Sequence, residues 1–167
     1  MTKAALPTES AVPAIATSAE IQQILLKLKR IHFGFDSAKI LPASRTELEE
    51  AAEQLRKYTD IQLVIEGHAD DRGTTEYNMA LSERRARVVV DFLTRAGIKR
   101  DRLLIVAKGE EQPLDSNSGI RSWAVNRRVD FQLSQGGIQF ELEDGTLFDD
   151  RGEIISSANG IESGDKQ

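Results

Sequence analysis

Residues 61–93, IQLVIEGHADDRGTTEYNMALSERRARVVVDFL, contain the transition that decides the fold. The run from Ile61 to Glu66 reads as a strand, and Gly67 closes it. Residues 67–78 form a polar loop. From about residue 77 to 96 the pattern becomes helical, with Leu81, Val88, Val89, Phe92, Leu93 and Ala96 expected to be buried and Gly97 suited to the position after the last turn. Leu81, Arg85 and Val88 share one face of that helix, so Arg85 points toward the sheet while Arg84 and Arg87 turn to solvent. A guanidinium on a packing face needs an anion, and Asp70, at the end of the neighbouring strand, is the partner that the spacing suggests.

Other elements follow on both sides. Upstream, Thr17 and Glu20 form a capping box ahead of a short amphipathic helix, 18–30, with Ile21, Ile24, Leu25 and Leu28 on one face. Residues 31–35 alternate as a strand that ends at Asp36-Ser37. Pro42 opens a helix whose stripe is Leu48, Ala51, Ala52, Leu55 and Tyr58. Downstream, 102–107 is a third strand, 109–126 a long loop with one helical turn near Ile120–Val125, and 128–133 a fourth strand. The order strand, helix, strand, helix, strand, strand predicts an α+β fold, two-layer, with helices on one face of a mixed sheet. Three regions are expected: a flexible leader (1–17), a globular domain (18–134) and an acidic tail (135–167). In the tail, alternating Ile138, Phe140 and Leu142 and the Asp144-Gly145 turn suggest a hairpin, followed by disorder past residue 152.

Composition narrows the function. The 167 residues are 40% hydrophobic, enough for a core. The absence of Cys excludes disulfides, thiolate metal sites, a Cys nucleophile and a cysteine-borne lipid on this chain. No apolar run is long enough for a transmembrane segment, and the N-terminus lacks the apolar stretch of a signal peptide. The net charge of −5 is uneven: 135–167 carries net −6, whereas 81–102 carries net +4. The acidic balance argues against nucleic acid as a partner. The run 84–102 reads as a solvated basic face, and the tail could lie against Arg84, Arg87, Arg95 and Lys99 as a salt-sensitive clasp, apart from the ligand site.

The Asp70–Arg85 pair has two readings. It could be an ion pair that pins the helix, or a carboxylate and a guanidinium side by side that match a zwitterion. In the second case Asp70 would take an ammonium, Arg85 would grip a carboxylate, and the nearby helix N-terminus would add backbone donors. Other chemistries are weaker. His68 and Asp70 lack a third metal ligand, so no metal or other cofactor is expected, and His68 is read as making local loop hydrogen bonds. Ser82 with His68 and Asp70 imitates a hydrolase triad, but Ser82 lies inside a helix and no Gly-x-Ser-x-Gly elbow precedes it. Trp123 is read as an anchor of the 109–126 loop.

Residues 66–93 also resemble the signature of the OmpA-like peptidoglycan-binding domain: Gly67-His68-Ala69-Asp70, then Gly73, Tyr77-Asn78 and Leu81-Ser82-x-x-Arg85-Ala86. Gly67-His68-Ala69-Asp70 with Arg72-Gly73-Thr74-x-Glu76-Tyr77-Asn78 is most similar to the peptidoglycan-associated lipoprotein branch of that family. Ile31–Leu41, Gly97-Ile98, Gly109-Glu110-x-x-Pro113 and Asn126-Arg127-Arg128-Val129 resemble its other segments in the same order. The resemblance implies a noncatalytic domain that binds peptidoglycan, noncovalently, at the zwitterionic free end of meso-diaminopimelate in the stem peptide. By motif position it makes Asp70 the ammonium acceptor and Arg85 the carboxylate clamp, with Asn78, Leu81 and Asn126 as pocket wall and Phe35 and Asp36 beside them. It further implies a periplasmic location, attachment to the outer membrane in the full-length protein, and Tol-system or other envelope proteins as partners. A wall anchor of a motor stator or secretion machine is the alternative, and a cell-wall hydrolase is less favoured.

Overall fold

The computed structural model describes residues 17–28, 30–134, 140–149 and 151–156. Helix α1 (Ser18–Lys27) starts on the expected capping box: Glu20 N–H donates to Thr17 Oγ1 at 3.3 Å, and Thr17 N–H donates to Glu20 Oε2 at 2.9 Å. Strand β1 (Arg30–His32) is shorter than expected. After the buried Phe33 the chain turns out at Phe35 and Asp36, where Asp36 has φ 51°, so the alternation of 31–35 outlasts the strand. Helix α2 (Pro42–Lys57) buries the expected stripe, from Leu48 to Leu55.

Strand β2 (Leu63–Gly67) leads through the polar loop to α3 (Thr75–Arg95). That helix begins earlier than its apolar pattern indicates, because Thr74 caps it by accepting from Tyr77 N–H at 3.1 Å. A 3₁₀ turn at Arg100–Arg102 precedes β3 (Leu103–Ala107). In the long loop the expected turn is a helix of seven residues, α4 (Ile120–Asn126), which leads into β4 (Arg128–Leu133).

The sheet order is β1-β4-β2-β3, with β4 antiparallel to both neighbours and β2 parallel to β3. Helix α3 lies across β2, β3 and β4, with α2 beside it. The fold is therefore the expected mixed sheet with helices on one face. Gly67 sets how closely helix and sheet meet: a Cβ there would stand 1.8 Å from the Ser82 carbonyl oxygen. Since Leu63, Ile65 and Gly67 face the helices, the alternate positions Val64 and Glu66 face the opposite side.

The tail lies elsewhere than the charge pattern suggests. β5 (Phe140–Glu141), β6 (Leu147–Phe148) and β7 (Ile154–Ser156) make a separate antiparallel sheet. Phe148 is fully buried and belongs to the main core. Gly152, at φ 84°, packs so near α1 that a Cβ would approach Leu25 Cβ to 2.9 Å. Among the described residues a cation of the tail meets the sheet: Arg151 Nη2 donates to Glu66 Oε1 at 2.6 Å and to Gln132 Oε1 at 2.7 Å, on the face away from α3. The expected disorder past 152 gives way to a strand at Ile154–Ser156. The leader up to residue 16, Ile138 and residues 157–167 lie outside the described residues.

The basic run of α3 is not uniformly solvated either. Arg84 and Arg87 are exposed as expected, but Arg85 is fully buried and Arg102 nearly so. Arg102 donates to the carbonyls of Ile61, Leu55 and Tyr58, tying the end of α2 to the start of β3. Among the described residues no helix is long and apolar enough to cross a membrane.

Candidate functional site

Where β2 ends, the backbone continues in register past Gly67. His68 N–H donates to the Arg128 carbonyl at 2.8 Å, and Ala69 N–H to that of Gly109 at 2.8 Å. This places Asp70 at the mouth of a cavity of about 190 Å³ between the β2–α3 loop, the first turns of α3 and the turn after β1. Six of the seven expected residues line it: Phe35, Asp36, Asp70, Asn78, Leu81 and Arg85. Arg72, Gly73 and Tyr77 complete the lining and were not singled out by sequence.

Asn126 is not part of this lining. Its Oδ1 accepts from Leu114 N–H at 2.8 Å and Asp115 N–H at 3.2 Å, and its Nδ2 donates to the Asp115 carbonyl at 2.8 Å. A side-chain amide that spans a loop in this way replaces missing backbone partners, so Asn126 shapes the 114–115 turn and is not pocket wall.

Asp70 and Arg85 share the cavity but are not paired with each other. The Arg85 side chain donates from Nε to the Ser37 carbonyl at 2.8 Å, from Nη1 to His68 at 2.9 Å and from Nη2 to Gly34 at 3.2 Å. Three of its five N–H groups are used on two segments, the turn after β1 and the end of β2, which leaves two for a ligand. Burial pulls the Arg85 pKa down to about 10, opposed by the negative charge of Asp70. The group still carries its proton at neutral pH.

Asp70 belongs instead to Arg72. Its Oδ1 accepts from Arg72 N–H at 3.0 Å and Nε at 3.3 Å, and its Oδ2 from Nη2 at 2.9 Å. Arg127 Nη1 stands 3.7 Å from Oδ2. Burial alone would raise the Asp70 carboxyl, but the Arg72 hydrogen bonds and the charges of Arg72 and Arg127 outweigh it and hold the pKa below the usual carboxylate value. The Arg72 guanidinium is stacked between two rings, 4.0 Å from the centroid of Phe35 and 4.0 Å from that of Trp123. Trp123 Nε1 donates to Asp71 Oδ1 at 2.9 Å, so this ring reaches the β2–α3 loop and does not merely anchor its own. At the other rim, Tyr77 hydroxyl donates to Asp36 Oδ1, and Asn78 Nδ2 donates to Glu110 Oε1 at 3.4 Å.

One signal in the sequence could have found Arg72. An Asp whose carboxylate accepts the N–H two residues on forms an Asx turn, which brings the side chain at that second position back over the carboxylate. Trp123 and Arg127 carried no such local signal.

The remaining chemistries lose support from the geometry. Ser82 is fully buried, donates to the Met79 carbonyl at 2.8 Å and accepts from Gly109 N–H at 2.9 Å, so its hydroxyl is a structural tie. His68 does not make the loop hydrogen bonds expected of it: neither ring nitrogen has a hydrogen-bond partner. Its nearest anion, Asp130 at 3.6 Å, is engaged by Arg128 Nε at 3.0 Å. Burial, then the charges of Arg128, Arg151 and Lys108, push the His68 pKa down to about 3. Among the described residues no group of three or more His, Asp or Glu side chains could hold a metal ion.

Known proteins resemble this chain in sequence and in fold. The OmpA family model matches residues 32–127. The chain is 39% identical over 123 residues to a peptidoglycan-associated lipoprotein of Mesorhizobium japonicum, covering 73% of each. Among solved structures it resembles the peptidoglycan-associated lipoprotein from Burkholderia pseudomallei, with TM-score 0.63 and 32% identity over 66% of this chain and 93% of that one. It also resembles the cell wall anchor of the T6SS from Pseudomonas aeruginosa, with TM-score 0.51 and 30% identity over 59% of this chain and 71% of that one. The matched span contains every residue of the cavity, and the chain belongs to the OmpA family.

Proposed function

We propose that this chain binds peptidoglycan noncovalently by taking the free end of meso-diaminopimelate, the third residue of the stem peptide, into the cavity between the β2–α3 loop and α3. The observation that carries this reading is that one carboxylate, Asp70, and one buried guanidinium with unused N–H groups, Arg85, line the same small cavity. That free end is an ammonium and a carboxylate on one carbon. Asp70 accepts the ammonium, Arg85 holds the carboxylate, and Leu81, Asn78 and Phe35 border the aliphatic part. Relatives named as peptidoglycan-associated lipoproteins support the same ligand class. The domain then tethers the outer membrane, or an envelope complex, to the wall from the periplasmic side. Resemblance to the cell wall anchor of the T6SS keeps a secretion machine among the structures so tethered.

The affinity follows from few contacts. Two charge-assisted interactions, less the cost of ordering, correspond to a dissociation constant on the order of micromolar, and many stem peptides in one wall raise the hold by multivalency. Titration with muropeptides tests the assignment. Those with meso-diaminopimelate should bind, and those with Lys at the third position, which lack the distal carboxylate, should bind at least tenfold more weakly. Equal binding of both would exclude this ligand.

A further inference from the structure

Asp70 is 5% exposed, and both of its oxygens are already engaged by Arg72. An incoming ammonium therefore meets an occupied carboxylate. The occupant is itself a cation, held in a box of two aromatic faces that would suit any cation of similar width. The two rings come from distant parts of the chain, Phe35 from the turn after β1 and Trp123 from α4, and Trp123 is fixed in place by its hydrogen bond to Asp71. The Arg72 side chain is about a third exposed, so it has an open path to solvent, whereas Arg85 is locked by three carbonyls. One arginine of the cavity is built to stay and the other is able to leave.

We propose that Arg72 is an internal counter-ion that occupies the ammonium position in the ligand-free protein, so that binding exchanges one cation for another on Asp70. This rests on the diaminopimelate reading of the site. The exchange has two consequences. The carboxylate keeps a hydrogen-bonded cation when no ligand is present, where Arg127 at 3.7 Å from Oδ2 would otherwise be its nearest positive charge. The competent state, with Arg72 turned out, is a minority of the free protein, and apparent affinity is reduced by that fraction. Arg72 thereby sets how strong an ammonium ligand must be to enter, and it penalises ligands that offer only a carboxylate, because those provide nothing to replace it on Asp70.

The test uses a soluble tripeptide ending in meso-diaminopimelate, titrated calorimetrically into the wild-type chain, Arg72→Gln and Arg72→Lys. Arg72→Gln removes the competing charge and keeps the backbone N–H that Asp70 also accepts, so it should bind roughly three- to tenfold more tightly. Arg72→Lys retains a competing cation and should stay closer to wild type. A merely structural role for Arg72 would weaken binding in both variants, and equal or weaker binding by Arg72→Gln, with wild type still binding, overturns the exchange while leaving the ligand assignment intact. No binding by wild type or either variant overturns the ligand assignment and the exchange with it.

Discussion

Arg151, in a segment that carries mostly acidic charge, donates to Glu66 at 2.6 Å across the face of the sheet away from α3. Glu66 is 5% exposed, and its other cation, Lys108, is 3.9 Å away. The tail is thus joined to β2, the strand that runs directly into His68 and Asp70. Removing the cation in Arg151→Ala leaves Glu66 with a weak partner. Arg151 is itself a third exposed, so solvent screens part of the effect. The expected loss is about 1–2 kcal/mol, or roughly 3–6 °C in melting temperature. Thermal unfolding followed by circular dichroism measures it, and an unchanged melting temperature would show that the contact contributes nothing.

Truncation after residue 137 should cost more than Arg151→Ala, because it also uncovers the pocket filled by Phe148 and the surface of α1 beneath Gly152. Loss of one large buried aromatic alone is worth about 3–5 kcal/mol. None of the described tail residues lines the ligand cavity, so affinity for the tripeptide should remain within about twofold at temperatures where the truncated domain is folded. Comparing denaturant midpoints with calorimetric affinities separates the two effects, and a tenfold loss of affinity would tie the tail to the site.

Asp70 and Arg85 should differ in what their removal does. Asp70→Asn keeps the shape and should lose roughly 10- to 150-fold in binding, the equivalent of about 1.5–3 kcal/mol, with a smaller loss of stability than Arg85→Ala because the Arg72 side chain it releases is about a third exposed and can turn to solvent. Arg85→Ala empties a fully buried position and strands the carbonyls of Ser37, His68 and Gly34. It should destabilise the fold by about 3–5 kcal/mol as well as abolish binding. Sacculus pull-down beside urea unfolding checks both, and a fully stable Arg85→Ala protein would contradict the tie seen here.

His68 makes stability depend on pH with a definite sign. Its pKa is about 3 in the folded protein against 6.5 for the free side chain, so between those values the unfolded chain binds the extra proton. Stability therefore falls as pH drops from 6.5 toward 3, by up to about 1.4 kcal/mol per pH unit from this group. Asp70 acts in the same direction at lower pH, since its depressed pKa supplies stability that is lost on protonation. In His68→Gln the histidine contribution disappears. The stability difference between wild type and variant should change steadily from pH 6.5 to 4, and a difference independent of pH would sink the assignment.

Gly67→Ala tests the approach of α3 to the sheet. The new Cβ would meet backbone, the Ser82 carbonyl, at 1.8 Å, so no side chain can yield to it. The cost should reach or exceed the upper end of the ~1–3 kcal/mol typical of overpacking. A variant with the wild-type urea midpoint would show that the helix shifts freely.

Periodicity located the three long helices and the four strands of the main sheet, to within a few residues at their ends, and the face that each buries, but not the strand at Ile154–Ser156. The stripe from Leu48 to Leu55 and the alternation of 128–133 report burial directly, because a helix and a strand repeat at different spacings. The same spacing put Arg85 on the packing face of α3, where it is. It did not tell which anion or carbonyls Arg85 meets, that Asp70 is taken by Arg72, that Trp123 closes the other side of Arg72, or that the tail's one arginine in the described residues finds Glu66. Apart from Asp70 and Arg72, two residues apart and joined by an Asx turn, those contacts join segments whose separation along the chain carries no period, and the choice among several nearby arginines for one carboxylate depends on distances of a few ångströms set by how the helices pack on the sheet. Local pattern determines which side chains are turned inward. Only the packed structure decides which of them meet.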